Sequence, residues 1–220
     1  MNFELRLFQL QRYLRKDGQS IMSLYYIYDR LTYLICVVGM IVFIMTRIIG
    51  IAPIPKQKKE MLDELIMFLH SKIDNVGKPY MIPPELKEEM KSDLDNEKVL
   101  TEVAKDIIAH CRLNASSLRV KVENLSPNAA GQYSNDLIII NHLDNTGYAK
   151  TMAVLIHECM HHYLRHRGII LQDTASNEYL TDIATLYMGF GDYINRGYVM
   201  AGYIKRHEIR YIKNRISKLR

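Results

Sequence analysis

The chain has 220 residues, a formal net charge of +5 at pH 7 and 48% hydrophobic residues, which suits one domain of catalytic size with a smaller appendage. The charge is too modest to indicate a nucleic-acid-binding protein by itself. The cysteines are three in number and widely scattered, which excludes a disulfide framework and favours a reducing compartment for the soluble part.

The first predicted element is an amphipathic helix near the N-terminus. Phe3, Leu7, Leu10 and Leu14 fall on one stripe of a helix, and Arg6, Arg12 and Arg15 lie elsewhere on it. Such a helix is typical of a segment that lies on an anionic membrane surface or against a partner helix.

The second element is an apolar segment. Leu31 to Thr46 carries no charge, and the apolar character continues after Arg47 as far as Ile51. The uncharged run is shorter than the usual span of about 20 residues, but an arginine near its end can extend its side chain to the interface. We therefore predict a single membrane-spanning helix over residues 31–51. The alternative is a core helix packed on the following domain.

Pro53 and Pro55 then break the helix and indicate a linker. We divide the chain into residues 1–55, with the amphipathic helix, the span and the linker, and a second domain over residues 56–220. Positive charges on both sides of the span leave its orientation open, and the unpaired cysteines favour a cytoplasmic second domain.

Three helices are predicted next, over residues 57–75, from Pro84 onwards, and over residues 97–112. His70 and His110 lie on or beside the apolar stripes of these helices, so we interpret them as structural residues. Two strands follow, one in the alternating stretch 117–123 and one in the β-branched run 137–140.

The next helix contains the sequence His157-Glu158-Cys159-Met160-His161, an H-E-x-x-H. Residues four apart lie on one face of a helix, so both imidazoles point into the same space and suit two corners of a tetrahedral zinc site. Glu158 stands beside them as the base for a metal-bound water. A carboxylate from a second helix is the usual third protein ligand, and Glu178, Asp182 and Asp173 are the candidates.

Further along the chain, residues 177–182 read N-E-Y-L-T-D. This order of motifs resembles the gluzincin metallopeptidases of the thermolysin type over residues 130–190, and the E-x-x-x-D spacing is similar to that of membrane-bound HtpX-type peptidases. The resemblance implies that Glu178 completes the zinc ligands and that Asp182 orients His157. It also implies an edge strand that pairs with extended substrate, for which residues 136–141 are the candidate. Residues 131–134 would shape the cleft wall, and the alternative is an internal strand that touches no substrate.

His162 and His166 form a second pair four residues apart on the same helix, turned away from the first. Two arginines lie beside these histidines, and Gly168 follows as the residue just past the helix. We therefore interpret His162 and His166 as cations that complement the dipole at the helix end. Cys159 faces away from the predicted ligands and is interpreted as a packing residue.

After a glycine-rich stop at residues 189–191, a tyrosine- and glycine-rich stretch leads to a last helix over residues 203–219. The basic face of this helix is interpreted as solvated, and no nucleic-acid partner is expected. The candidate donors to a tetrahedral intermediate, among which no motif selects, are Tyr193, Tyr198, Tyr203 and His207.

The expected fold is α+β: a mostly helical metallopeptidase domain with a small β-sheet before the zinc-binding helix, preceded by a hydrophobic N-terminal helix. The expected function is zinc-dependent hydrolysis of peptide bonds in a protein or peptide, with Glu158 as general base, by a single-pass membrane protein. The alternatives are a membrane-associated zinc-binding regulatory protein, and a peptidase-like switch that acts on a nucleic-acid-bound regulator.

Overall fold

The computed structural model describes residues 21–48, 53–73, 76–126, 129–142, 147–197 and 203–219. The chain divides into two compact units, Met1–Ala52 and Pro53–Arg220. The predicted amphipathic helix over residues 3–14 lies outside the described residues.

In the first unit, helix α1 covers Ile21–Ile48. Its described side chains are largely apolar and mostly exposed, including Leu31, Leu34, Ile35, Val38 and Ile41. Of the helices that the structure describes, none is both long enough and apolar enough to cross a membrane. The predicted span over residues 31–51 extends beyond α1 into residues outside the described part.

The second unit is α+β, as expected. A small sheet lies between two groups of helices along the chain, and its strands are β1 (Arg119–Glu123), β2 (Gly131–Ser134) and β3 (Leu137–Asn141). The described helices of this unit are α2 (Lys56–Lys72), α3 (Pro84–Ser92), α4 (Glu97–His110), α5 (Gly147–His166), α6 (Thr174–Tyr187), α7 (Gly191–Gly197) and α8 (Arg206–Ser217).

The strand order is β1-β3-β2, with β1 parallel and β2 antiparallel to β3. The expectation that residues 136–141 form an edge strand is therefore wrong, because β3 takes the central place. The strand at one edge is β2, whose residues 131–134 are not among the predicted strands. β2 and β3 are joined by Asn135 and Asp136, whose φ angles of 49° and 61° suit a two-residue type I′ hairpin turn.

Helix α5 lies at the centre of the unit and packs against α4, α6, α7, β2 and β3. Neighbours on several sides explain why most of its side chains are buried, including the fully buried Met152, Leu155, Ile156 and Met160. Burying each such apolar side chain contributes roughly 1.5–3 kcal/mol. The two predicted histidine ligands, His157 and His161, therefore stand on a largely buried helix, and Glu178 comes from α6.

The ends of α5 and α6 follow local signals. α5 ends at His166, and Gly168 takes a φ of +66°, as predicted for the residue just past the helix. Asp173 accepts a hydrogen bond from Ser176 N at 2.7 Å and caps α6, and it belongs to neither group of candidate ligand atoms among the described residues. α7 was not predicted; its Gly197 permits close approach to α5, since a Cβ there would lie 2.0 Å from Ala149 O.

Candidate metal centre

Helices α5 and α6 bring three candidate ligand atoms together. His157 Nε2 lies 3.0 Å from His161 Nε2 and 3.1 Å from Glu178 Oε2, and His161 Nε2 lies 3.3 Å from the same oxygen. A tetrahedral zinc ion with bonds of about 2.0–2.1 Å separates its ligand atoms by about 3.3 Å. The triangle therefore has the size that a zinc ion requires, and Glu178, rather than Asp173 or Asp182, supplies its carboxylate.

The tautomer of His157 is set by Asp182, which is fully buried on α6. His157 Nδ1 donates to Asp182 Oδ1 at 2.8 Å, so in the neutral imidazole the lone pair is on Nε2, which faces the triangle. The other carboxylate oxygen accepts from Tyr203 N at 2.8 Å and from Ile204 N at 3.1 Å. Asp182 therefore fixes the histidine and also ties the segment before α8 to the metal centre, a second role that the sequence did not reveal.

The tautomer of His161 is set by Thr181, a residue to which the sequence assigned no role. The Thr181 hydroxyl donates to Asn177 O at 2.9 Å, so its oxygen accepts from His161 Nδ1 at 3.2 Å. His161 Nε2 consequently also carries a lone pair. The two Nε2 atoms lie 3.0 Å apart, and both face Glu178 Oε2. A metal ion would take a lone pair from each nitrogen, whereas without a metal ion His157 Nε2 carries a proton that it donates to Glu178.

The electrostatics favour a positive charge at the centre of the triangle. Burial lowers the pKa of His157, but its hydrogen bonds to Asp182 and Glu178 outweigh burial and raise the pKa above its usual value. Burial raises the pKa of Glu178, but hydrogen bonds from His157 and His161 outweigh it and hold that pKa low. Positive charge is therefore stabilised between these groups, whether it is carried by a proton or by a metal ion.

Glu158 lies beside the triangle without belonging to it. Its side chain is buried and packs against β2, since a Cβ on Gly131 would lie 2.7 Å from Glu158 Oε1. Burial raises the pKa of Glu158, although the two nearby imidazoles oppose the shift. A carboxylate whose pKa is shifted towards neutrality suits proton transfer. The contact with Gly131 also places β2 at the wall of the site.

His70, His110 and Cys159 have structural partners, as predicted. His70 Nδ1 lies 2.7 Å from the Tyr187 hydroxyl, and His110 Nε2 lies 3.1 Å from Met188 O. Cys159 Sγ points away from the metal centre towards α4.

The interpretation of His162 as a cation at the helix end is wrong. Its residue exposure is 1%, and burial, together with neighbouring His166, lowers its pKa. Sequence position alone could not show this, because the side chain is covered by Asp136 and Tyr133 from the distant β2–β3 hairpin.

Of the candidate donors to a tetrahedral intermediate, Tyr203 is linked to the metal centre, because its backbone N–H donates to Asp182. Its exposed ring packs edge-on against Tyr179, with centroids 5.9 Å apart. Tyr193 instead accepts from Ile82 N at 3.2 Å, and Tyr198 lies outside the described residues.

No protein-family model, curated protein or solved structure matches the chain. The geometry of the metal centre therefore carries the functional argument.

Thr181→Val should weaken zinc binding by roughly 10–100-fold, because the isosteric side chain removes the acceptor that holds His161 in its ligating tautomer. Competition with a chromophoric zinc chelator measures the change. Thr185→Val is the matched control, since Thr185 donates to Asp182 O one turn further along the same helix. Equal affinities of the two variants would remove Thr181 from the site.

Proposed function

We propose that this protein is a zinc-dependent metallopeptidase. The observation that carries the proposal is the triangle of His157 Nε2, His161 Nε2 and Glu178 Oε2, with sides of 3.0–3.3 Å, beside the buried Glu158. Two imidazoles and a carboxylate at this separation match the ligand set and size of a catalytic zinc site. Asp182 and Thr181 support the same choice, because each holds one histidine in the tautomer that a metal needs.

The ligand set favours a catalytic ion over a structural one. Structural zinc sites are usually closed by four protein ligands and are often rich in cysteine, whereas catalytic sites use three protein ligands and keep one position open. Here the cysteine on the same helix, Cys159, points to α4. Glu158 is a buried carboxylate that is not one of the three candidate ligands. Its burial has a desolvation cost, and a site that only binds metal would gain nothing from it.

In the proposed reaction a bound zinc ion supplies a Lewis acid that lowers the pKa of water and polarises the scissile carbonyl. Glu158 accepts the proton of the attacking water on a carboxylate oxygen and donates it to the nitrogen of the leaving amine. Throughout the reaction His157 Nδ1 donates its hydrogen bond to Asp182, and His161 Nδ1 donates to Thr181. The ligating Nε2 atoms therefore stay fixed.

The proposed substrate is an extended segment of a protein or peptide. β2 pairs with β3 along one edge, and its other edge has no strand partner among the described residues. An extended peptide can add to such an edge through main-chain hydrogen bonds. A peptide on β2 would pass Gly131 and hence lie near Glu158.

Gly131→Ala tests this wall of the site. The added methyl group would lie 2.7 Å from Glu158 Oε1 and 2.9 Å from Val154 Cγ1, so Glu158 must shift. We expect peptide hydrolysis to fall by roughly 100-fold, because a displacement of about 1 Å in a catalytic group has that effect, while zinc content is unchanged. Gln132→Ala, on the exposed face of the same strand, is the control. Native activity in Gly131→Ala would separate β2 from the catalytic site.

The proposed function as a whole is tested on the purified full-length chain. We expect zinc to co-purify, a labelled unfolded casein to be cleaved, and cleavage to stop with 1,10-phenanthroline and return when zinc is restored. Zinc retention without cleavage of casein or of a mixed peptide library would favour the alternative of a zinc-binding regulatory protein.

A nucleic-acid-directed function receives less support from α8. Arg215 pairs with Asp63 at 2.8 Å, and Lys213 pairs with Asp192 at 3.3 Å, so part of the basic face already has partners on the same unit. Ile209, Ile212 and Ile216 are buried on the other face. These contacts favour a packed, solvated helix over a docking surface.

We also propose that residues 31–51 attach the protein to a lipid bilayer, with the second unit on the cytoplasmic side. The exposed apolar side chains of α1 support contact with lipid, since solvent exposure of so many is unfavourable. We expect the full-length chain to sediment with membranes and to resist extraction at alkaline pH. Release by alkali would show surface association only, and recovery in the soluble fraction without detergent would contradict membrane attachment.

A further inference from the structure

A second group of metal-ligand atoms lies on another face of α5. It consists of His162 and His166, one helical turn apart, and Asp136 at the tip of the β2–β3 hairpin, and its ligand atoms lie within 4.8 Å of one another. Asp136 Oδ1 lies 3.0 Å from His166 Nε2 and 3.3 Å from His162 Nδ1. Asp136 is distant from the two histidines in the sequence, and the packing of the hairpin on α5 brings it to them.

His162 is the member that needs an explanation. Its side chain is 1% exposed, and neither ring nitrogen has a hydrogen-bond partner among the residues that the structure describes; the 3.3 Å approach of Nδ1 to Asp136 lacks hydrogen-bond geometry. A buried polar group without a partner is costly, and native structures contain few of them. An ion bound through His162 Nδ1 would satisfy the nitrogen that faces Asp136.

Asp136 is positioned to share its carboxylate between the two histidines. Ser117 Oγ donates to Asp136 Oδ2 at 2.8 Å, which leaves Oδ1 facing His162 and His166. The φ of Asp136 is +61°, a conformation that costs most side chains free energy and that glycine usually occupies at this place in a two-residue hairpin.

An ordinary ion pair between Asp136 and His166 explains only part of this arrangement. It accounts for the exposed contact at 3.0 Å, but not for the burial of a second imidazole whose nitrogens make no hydrogen bond within the described part of the chain. Edge-to-face packing of Tyr133 on His162, with centroids 5.5 Å apart, would be satisfied equally by an apolar ring.

We propose that Asp136, His162 and His166 form a second zinc-binding site. Two imidazoles and one carboxylate are suitable zinc ligands, and the group borders a surface pocket from which an ion can enter. The pocket is lined by Tyr133, Asn135, Asp136, Arg165 and His166.

An ion at this site clamps the β2–β3 hairpin onto α5. The same hairpin carries Gly131, which lies against Glu158, so the clamp steadies one wall of the proposed catalytic site. This consequence for catalysis rests on the proposed function, whereas zinc binding at the second site does not.

Zinc stoichiometry tests the second site. The full-length chain and three variants are stripped of metal and titrated with Zn²⁺ against a chromophoric chelator. We expect about two ions per chain in the native protein and in His142→Ala, and about one in His161→Ala and in His166→Ala. His142 is the control because it pairs with Asp95 at 3.0 Å but belongs to neither group of three ligands.

The variants distinguish failure of this proposal from failure of the proposed function. An equal count of bound ions in His166→Ala and the native protein would overturn the second site. If only His161→Ala kept the native count, the second site would stand while the catalytic zinc would be wrong.

Amide hydrogen exchange tests the clamp in a variant that keeps the hairpin turn. Asp136→Asn preserves a side chain that tolerates positive φ but removes the ligand charge. In the native protein the second equivalent of zinc should slow exchange of the amides in residues 131–139, and in Asp136→Asn it should not. Equal slowing in both proteins, or no slowing in the native protein, would overturn the clamp.

Discussion

Replacement of Glu158 by glutamine should leave the zinc content of the catalytic site unchanged and lower peptide hydrolysis by about 10²–10⁴-fold. Glu158 lies outside the ligand triangle, so its charge is not required to hold the ion. The glutamine side chain has nearly the same shape, but its amide cannot accept the proton of the attacking water. Zinc content by mass spectrometry and the initial rate of casein cleavage measure the two effects separately.

The matched control for this substitution is Glu208→Gln. Glu208 is also buried, but it accepts a hydrogen bond from Lys205 N at the start of α8 and has no contact with the metal centre. We expect Glu208→Gln to keep both zinc and activity, so that a loss specific to Glu158→Gln reports chemistry and not burial of an amide. A native rate in Glu158→Gln would exclude the general-base role.

The central part of the site follows from local rules and was predictable from the sequence. The spacing of His157 and His161 places both on one face of any α-helix, and the same spacing places Glu178 and Asp182 on one face of the next. That these two faces meet was implied by resemblance to a family, and the structure brings the four side chains together.

The strand order depends on long-range packing and was not predictable in the same way. Only Gly131 and Tyr133 of β2 are partly covered, and neither is an aliphatic residue. The sequence Gly-Gln-Tyr-Ser therefore shows no alternation of apolar and polar residues. Their strand conformation comes from pairing with β3, and a four-residue edge strand whose covered face carries only a glycine and a tyrosine has little sequence signal. The central place of β3 follows from that missed strand.

His162 illustrates the same limit within a helix. Its place on α5 was correctly predicted, but its burial depends on Tyr133 and Asp136, which reach it from the hairpin tip. Thr181 is a related case: its hydroxyl donates to Asn177 O on the same helix, but its oxygen can accept from His161 only because α5 and α6 pack together. His161 is distant from Thr181 in the chain, as Tyr133 and Asp136 are from His162.

Glu178→Ala should remove the catalytic zinc, because two histidines alone cannot hold the ion tightly. The substitution shortens a partly exposed side chain on α6, so the protein should stay folded, and circular dichroism together with amide exchange in α5 would verify this. Metal analysis should then find the catalytic site depleted to the same extent as in His161→Ala. Full zinc retention in Glu178→Ala would exclude this carboxylate as a ligand.

Asp182→Ala should have a different signature, since in the proposed site Asp182 holds His157 by a hydrogen bond and is not itself a ligand. We expect zinc affinity to fall by roughly 10–100-fold without complete loss. The variant should also be less stable than Glu178→Ala when both are free of metal, because Tyr203 N and Ile204 N lose their acceptor, at a cost of about 1–3 kcal/mol for each buried donor. Urea unfolding of the metal-free variants measures that difference. The opposite ranking of zinc loss, with Asp182→Ala empty and Glu178→Ala loaded, would make Asp182 the ligand and Glu178 its support.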